Sequence, residues 1–406
     1  MPATGFPRDD GPAPRDNGAP PHANGPAPRD NGAPPYGIGP APRDIGPAPR
    51  GRSRRRARIL AGAALGAVLS LVLSVVLVTT GTSGSSGDPA SGPAQQRQHG
   101  FALPTYSRDG YGDTRVIEDR LRQITGIGAD WIQITPTWYQ SGPDAHEITR
   151  APAGAVWQTP DDTGVRKVIA LAHQRGLKVL LKPHIDLPHA ESRVLIRPRD
   201  PARWFASYTA FITHYADLAA RTGADQFAVG TELQGVSGDR DAWLAVIDAV
   251  RDRYPGPLVY AANYEEYPRV AFWDAVDLIG VDAYWPLSTQ PTRDVAALER
   301  AWKPLREELA AFAAERGRSI LFTEAGYVSQ RGTTTAPYSW TVSTTVDQAE
   351  QAAGYEALLR SFRDEPWWAG VFWWVWDVTP HGSQDDSLDY TPRGKTAEEV
   401  VRRWWS

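Results

Sequence analysis

From Phe101 to the end of the chain, short runs rich in β-branched and aromatic residues alternate with longer amphipathic stretches, and this alternation restricts the fold more than any other property. Candidate strands are Phe101–Pro104, Trp131–Thr135, Lys178–Lys182, Gln226–Thr231, Leu258–Ala261, Leu278–Asp282, Ser319–Thr323 and Gly370–Trp374. Eight strands in a length suited to one domain make a closed α/β fold, a single (β/α)8 TIM barrel, the simplest solution. Helical periodicity covers Thr163–Arg175, Trp204–Arg221, Asp241–Tyr254, Ala297–Arg316, Asp347–Phe362 and Thr396–Trp405. Gly176, Gly223 and Gly317 stand where C-terminal caps are expected. A doubly wound sheet is the rival fold, but Ser107-Arg-Asp-Gly-Tyr-Gly112 in the first connection does not follow the dinucleotide fingerprint.

The 406 residues carry a formal net charge of -4, unevenly spread in character. Residues 1–58 are dominated at first by Pro, Gly, Ala, Arg and Asp, and Gly-Pro-Ala-Pro-Arg recurs from Gly11, Gly25, Gly39 and Gly46. So little apolar surface cannot offset the entropy of ordering, and a disordered tail is expected; a Pro-rich ligand for a partner domain is the other reading. A dense arginine run from Arg50 to Arg58 precedes the uncharged stretch from Ile59 to Val78, which as a helix rises about 30 Å and suffices to cross a bilayer. The positive-inside rule then places the tail in the cytoplasm and everything beyond residue 78 outside, giving a single-pass cell-membrane protein with an extracellular C-terminal domain. A cleaved signal peptide and a secreted form are the alternative. Membrane orientation accounts for the basic run, so no nucleic-acid partner is inferred. Residues 79–98, rich in Gly, Ser, Pro and Gln, read as a flexible linker, and 99–406 as the barrel domain.

Cysteine is absent, which excludes thiolate zinc and iron–sulfur sites and means that the exported domain is held by its own core. No Gly-x-Ser-x-Gly elbow and no phosphate loop occur. A metal site from His184, Asp186, His189 and Glu191 is the alternative, but the run contains Pro183 and Pro188 and matches no specific ligand spacing. A cofactor-free, metal-free hydrolase is the economical account.

Two glutamates end apolar runs: Phe227-Ala-Val-Gly-Thr-Glu232 after the fourth candidate strand and Ser319-Ile-Leu-Phe-Thr-Glu324 after the seventh. In one barrel they share a rim, the geometry that glycosidic cleavage needs. In a retaining mechanism one carboxylate attacks the anomeric carbon and the other protonates the departing oxygen. Aromatic side chains supply flat apolar faces for sugar rings, and Trp138, Tyr264, Tyr284, Trp285, Trp373 and Trp374 are the substrate-binding candidates. Alternation along a strand lets only one of Trp373 and Trp374 face the barrel interior. Lys182 and His184 join the set as ligands for sugar hydroxyls or as groups tuning the carboxylates.

The segments Trp131-Ile-Gln-Ile-Thr-Pro-Thr-Trp138, Lys178-Val-Leu-Leu-Lys-Pro-His184, Gly230-Thr-Glu-Leu233, Leu278-Ile-Gly-Val-Asp-Ala-Tyr284 and Phe322-Thr-Glu-Ala-Gly326 resemble glycoside hydrolase family 113, across about residues 101–405. The resemblance implies a retaining (β/α)8 glycosidase with Glu232 as acid/base and Glu324 as nucleophile. It also implies that Tyr284 contacts the nucleophile and that the Trp373-Trp374 pair supplies the platform under the sugar. Thr231 stands where many members of the wider clan have an Asn that contacts the sugar 2-hydroxyl. The family includes endo-β-1,4-mannanases, so a β-linked mannan or manno-oligosaccharide is the implied substrate. A transglycosylase on a cell-surface glycan and a non-catalytic carbohydrate-binding envelope protein are the alternatives.

Overall fold

The computed structural model describes residues 97–152, 155, 157–187, 192–378 and 388–406. The expected tail, membrane span at residues 59–78 and most of the linker lie outside the described residues. Among the described residues, no helix is long and apolar enough to cross a membrane.

Eight parallel strands close into a barrel: β1 (Gln98–Ala102), β2 (Trp131–Ile134), β5 (Lys178–Leu181), β7 (Gln226–Thr231), β8 (Leu258–Asn263), β9 (Leu278–Asp282), β10 (Ile320–Ala325) and β11 (Trp368–Trp373). Each pairs with its sequence neighbour in the ring, and β1 pairs with β11 to complete it. All eight expected strands are present, with boundaries moved by a few residues. Trp131, Leu180, Ala228, Val259, Leu278, Leu321 and Phe372 belong to one buried cluster drawn from seven of the strands.

Seven α-helices pack around the ring: α1 (Thr114–Gly126), α2 (Asp162–Gln174), α3 (Pro201–Thr222), α4 (Arg240–Arg251), α5 (Val295–Arg316), α6 (Gln348–Phe362) and α7 (Thr396–Trp405). In the first six an aspartate precedes the helix and accepts from a first-turn backbone N–H. Each such cap contributes about 1 kcal/mol. Gly223 and Gly317 close α3 and α5 in the left-handed conformation, as expected. Helix α1 was not foreseen, although Ile117, Leu121 and Ile124 form its buried stripe.

The strict eightfold repeat is broken once. Between β8 and β9 the described chain makes only two short 3-10 turns, Tyr267–Arg269 and Trp273–Ala275, because Pro268 and a lack of sustained helical periodicity leave nothing to propagate a helix. A second feature not foreseen is a small sheet of β4 (Ile148–Thr149), β3 (Thr137–Gln140) and β6 (His184–Asp186). Strands β3 and β6 resume the directions of β2 and β5 after Pro136 and Pro183, pairing Thr137 with His184 and Tyr139 with Asp186. They extend the wall beyond the barrel and carry His184 and Asp186 above its rim. At the opposite end, His99 in β1 stacks on Trp405 in α7 with ring centroids 4.8 Å apart, so both ends of the domain meet on that side.

Candidate active site

The C-terminal ends of β7 and β10 place Glu232 and Glu324 on one cavity, lined also by Arg193, Tyr284, Trp340, Trp374 and Tyr390. Both carboxyl groups are almost fully buried. A larger hollow opens at the other end of the barrel, but there Arg251 is paired with Asp277 at 2.6 Å and Lys178 lies over the Trp131 ring. That end is formed by the starts of the strands, away from the loops where barrel chemistry resides.

Glu232 follows β7 directly and has φ of 53°, the one left-handed non-glycine backbone among the described residues. Such a conformation is costly for a side chain with a Cβ and persists only where its surroundings hold it. Its N–H donates to the Ala261 carbonyl at 2.7 Å, and its carboxyl accepts from the Asn263 amide at 2.8 Å and Arg193 at 3.2 Å. Burial raises its pKa; Arg193 opposes this and the charge of Glu324 adds to it.

Gly230, two residues earlier, has no room for a side chain. A Cβ there would lie 2.8 Å from the Tyr260 ring, 2.9 Å from Trp243 and 2.9 Å from the Tyr208 hydroxyl. Gly230→Ala is therefore expected to cost about 1–3 kcal/mol of stability by overpacking. Urea denaturation checks this, and an unchanged midpoint would refute the packing argument.

Glu324 has a different shell. Its Oε1 accepts from the Lys182 ammonium at 2.6 Å and its Oε2 from the Tyr284 hydroxyl at 3.0 Å. Lys182 also reaches Asp282 at 3.2 Å, and the Thr323 hydroxyl donates to Asp282 at 2.7 Å. His184 Nε2 lies 3.8 Å from Glu324, and its ring stacks on Trp374 with centroids 6.1 Å apart. Burial, then the cations Arg193 and Lys182, push the His184 pKa well down.

Of the residues expected in the site, Glu232, Glu324, Tyr284 and Trp374 line the cavity, while Lys182 and His184 stand beside Glu324. Tyr264 does not line the cavity; it stacks on Tyr338, and both pack against the cluster that holds Tyr284, Trp374 and Tyr390. Thr231 is buried next to Glu232, and its hydroxyl has no hydrogen-bond partner among the described residues.

Three expected residues turn elsewhere. Trp138 packs against α3, donating to the Tyr215 hydroxyl and touching Phe211, because it sits on β3 in the outer sheet. Trp285 packs against Tyr267, Trp302 and Phe322 in the layer between barrel and helices. Trp373 stacks on Tyr355 of α6 at 4.0 Å, on the side opposite to Trp374, as strand alternation requires.

Arg193, Trp340 and Tyr390 were not anticipated as cavity residues. Each sits outside the barrel strands, so no strand-end pattern marks it; the signal for Trp340 was the length of segment 326–347, since long loops in compact domains commonly carry function. Among the described residues no group of His, Asp or Glu is arranged to hold a metal ion; His189 and Glu191 of the metal alternative lie outside the described residues.

The sequence model of Glycoside Hydrolase Family 113 matches residues 102–395. The chain belongs to this family. Among solved structures, this family 113 chain is similar to the β-mannanase AaManA of Alicyclobacillus acidocaldarius, solved in complex with ManMIm. That match has 28% identity and a TM-score of 0.69, covering 76% of this chain and 97% of the other. A complex of a family 113 β-1,4-mannanase matches at 25% identity and the same TM-score, covering 76% and 99%. A β-glucuronidase from an uncultured Clostridium sp., at 13% identity and a TM-score of 0.52 over 76% and 50% of the two chains, shares the fold alone. No curated protein matches the chain. As a family member it is a glycoside hydrolase.

Proposed function

We propose that this family 113 domain is a retaining endo-β-1,4-mannanase in which Glu324 is the nucleophile and Glu232 the acid/base. The observation that carries the mechanism is that these two carboxyl groups, from the fourth and seventh barrel strands, share one cavity in unlike surroundings. Glu324, held by an ammonium and a hydroxyl, attacks the anomeric carbon while Glu232 gives its proton to the departing oxygen. The product is a glycosyl ester on Glu324 and a free sugar hydroxyl. Esterification removes the negative charge that helps raise the Glu232 pKa, which therefore falls as its task changes. Glu232 then takes a proton from water, the water oxygen attacks the anomeric carbon, and Glu324 leaves. Trp374 offers the apolar face for the sugar at the cleavage point.

The mannan reading rests on the two mannanase neighbours. Product analysis against linear β-mannan, glucomannan, xylan and cellulose, with time-resolved detection of the new anomer, tests it. Manno-oligosaccharides released first as the β-anomer are expected. Initial α-anomer would overturn the double displacement, and cleavage of xylan or cellulose without mannan would overturn the substrate.

Anchoring through residues 59–78 remains part of the proposal on sequence grounds alone. Membrane fractionation followed by carbonate extraction tests it, and a protein recovered wholly in the soluble fraction would exclude a retained span.

A further inference from the structure

We infer that Glu266, a buried carboxyl that the proposed reaction does not use, is the positioning residue that holds the acid/base in its left-handed backbone. This inference rests on the reading of Glu232 as acid/base. Glu266 is fully buried behind the cavity and reaches Glu232 by two routes. Its Oε1 accepts from the Tyr260 hydroxyl at 2.6 Å, and that hydroxyl accepts from the N–H of Leu233, the residue after Glu232, at 3.0 Å. Its Oε2 accepts from the Asn263 N–H at 3.0 Å, while the Asn263 side chain donates to Glu232 Oε1 at 2.8 Å. One carboxylate thus fixes both the peptide that leaves Glu232 and the amide that aims its side chain.

The clamp is rigid because its middle member cannot swing. The Tyr260 ring is held by edge contacts with Trp243, Phe272 and Trp273, and the missing side chain at Gly230 lets it close on β7. A glutamate at φ of 53° relaxes toward extended or helical backbone unless something opposes it. The Leu233–Tyr260 and Glu232–Ala261 bonds lie on either side of that dihedral and supply the opposition. Placing a carboxyl here also has a cost. Burial raises the Glu266 pKa to about 7, while the hydrogen bonds from Tyr260, Ser237 and Asn263 favour the charged form and oppose the rise.

A misplaced acid/base slows the first step only where the departing oxygen needs a proton, while its base role in the second step is common to all substrates, so the leaving-group dependence of kcat/KM separates positioning from bulk stability. The full chain and its Tyr260→Phe, Glu266→Gln and Glu232→Ala variants are compared on a glycan that the native protein cleaves and on the dinitrophenyl glycoside of the same sugar. Thermal midpoints are measured in parallel. With Tyr260→Phe and Glu266→Gln, kcat/KM on the glycan, which reports the first step, is expected to fall by roughly 10²-fold and on the activated glycoside by less than about threefold, in the same sense as Glu232→Ala.

Equal losses on both substrates, or none on either, in two folded clamp variants would overturn the clamp while leaving Glu232 in place. If Glu232→Ala itself lacks the dependence, or the native chain cleaves nothing in the panel, the acid/base reading falls and takes the clamp with it. Glu266→Ala, which deletes both acceptors, is expected to be the least stable of the set and is not required for the decision.

Discussion

Glu324→Gln is expected to abolish turnover, lowering kcat by more than about 10³-fold, because an amide cannot form the glycosyl ester. The replacement keeps the shape of the side chain but sets an NH2 against either Lys182 or Tyr284, both of which donate to the native oxygens. A modest drop in thermal midpoint accompanies the lost activity, and circular dichroism separates the two. The matching covalent experiment uses a 2-deoxy-2-fluoro glycosyl fluoride of the cleaved sugar, which slows hydrolysis of the ester. Mass spectrometry should find the label on the peptide containing Glu324. Label on Glu232, or turnover by Glu324→Gln within tenfold of native, would remove Glu324 from the nucleophile role.

Lys182→Met is expected to produce the largest loss of stability of any substitution in the site, about 3–5 kcal/mol. Lys182 is fully buried between Glu324 and Asp282, and its removal leaves two carboxyl groups facing each other without a cation between them. The sign with pH follows from Asp282. Burial and then the charge of Glu324 already raise its pKa well above the ordinary value, with Lys182 opposing. A carboxyl with a raised folded-state pKa binds more protons folded than unfolded, so its contribution is greatest at low pH and is lost as pH rises. Without the ammonium the rise is larger, and the deficit of Lys182→Met relative to native should widen from pH 5 to pH 8. Urea denaturation at the two pH values measures it. Adding Asp282→Asn should restore part of the loss; a deficit independent of pH, with no recovery in the double variant, would mean that packing rather than charge explains Lys182.

The barrel was legible because each strand announces itself twice, by β-branched composition and by an ionisable or aromatic residue where it meets the rim. Glu232, Glu324, Tyr284 and Trp374 could be read from that punctuation. Aromatic residues at strand ends are ambiguous in a way that carboxylates are not, since both faces of a barrel strand are apolar near the rim. Trp373 and Trp285 chose the helix layer, and Trp138 belongs to a strand that restarts after Pro136 and pairs outside the ring. Arg193 carried no local signal, because its partners Asp186 and Glu232 meet it only after β6 and β7 are assembled. Glu266 is equally silent in sequence: it follows β8 in Asn263-Tyr-Glu-Glu266, where Glu265 and Glu266 look alike and only one is buried. The missing helix between β8 and β9 is marked by Pro268, whereas α1 carries an apolar stripe at Ile117, Leu121 and Ile124 within an otherwise strongly charged segment.

The stacking of His99 on Trp405 gives the domain a handle at the end remote from its cleft. An attachment made beside His99 or at Trp405 would sit on the far side of the barrel from Glu232 and Glu324, leaving the opening clear of it. For a glycoside hydrolase, that geometry makes immobilisation at this end of the domain compatible with access to the cleft.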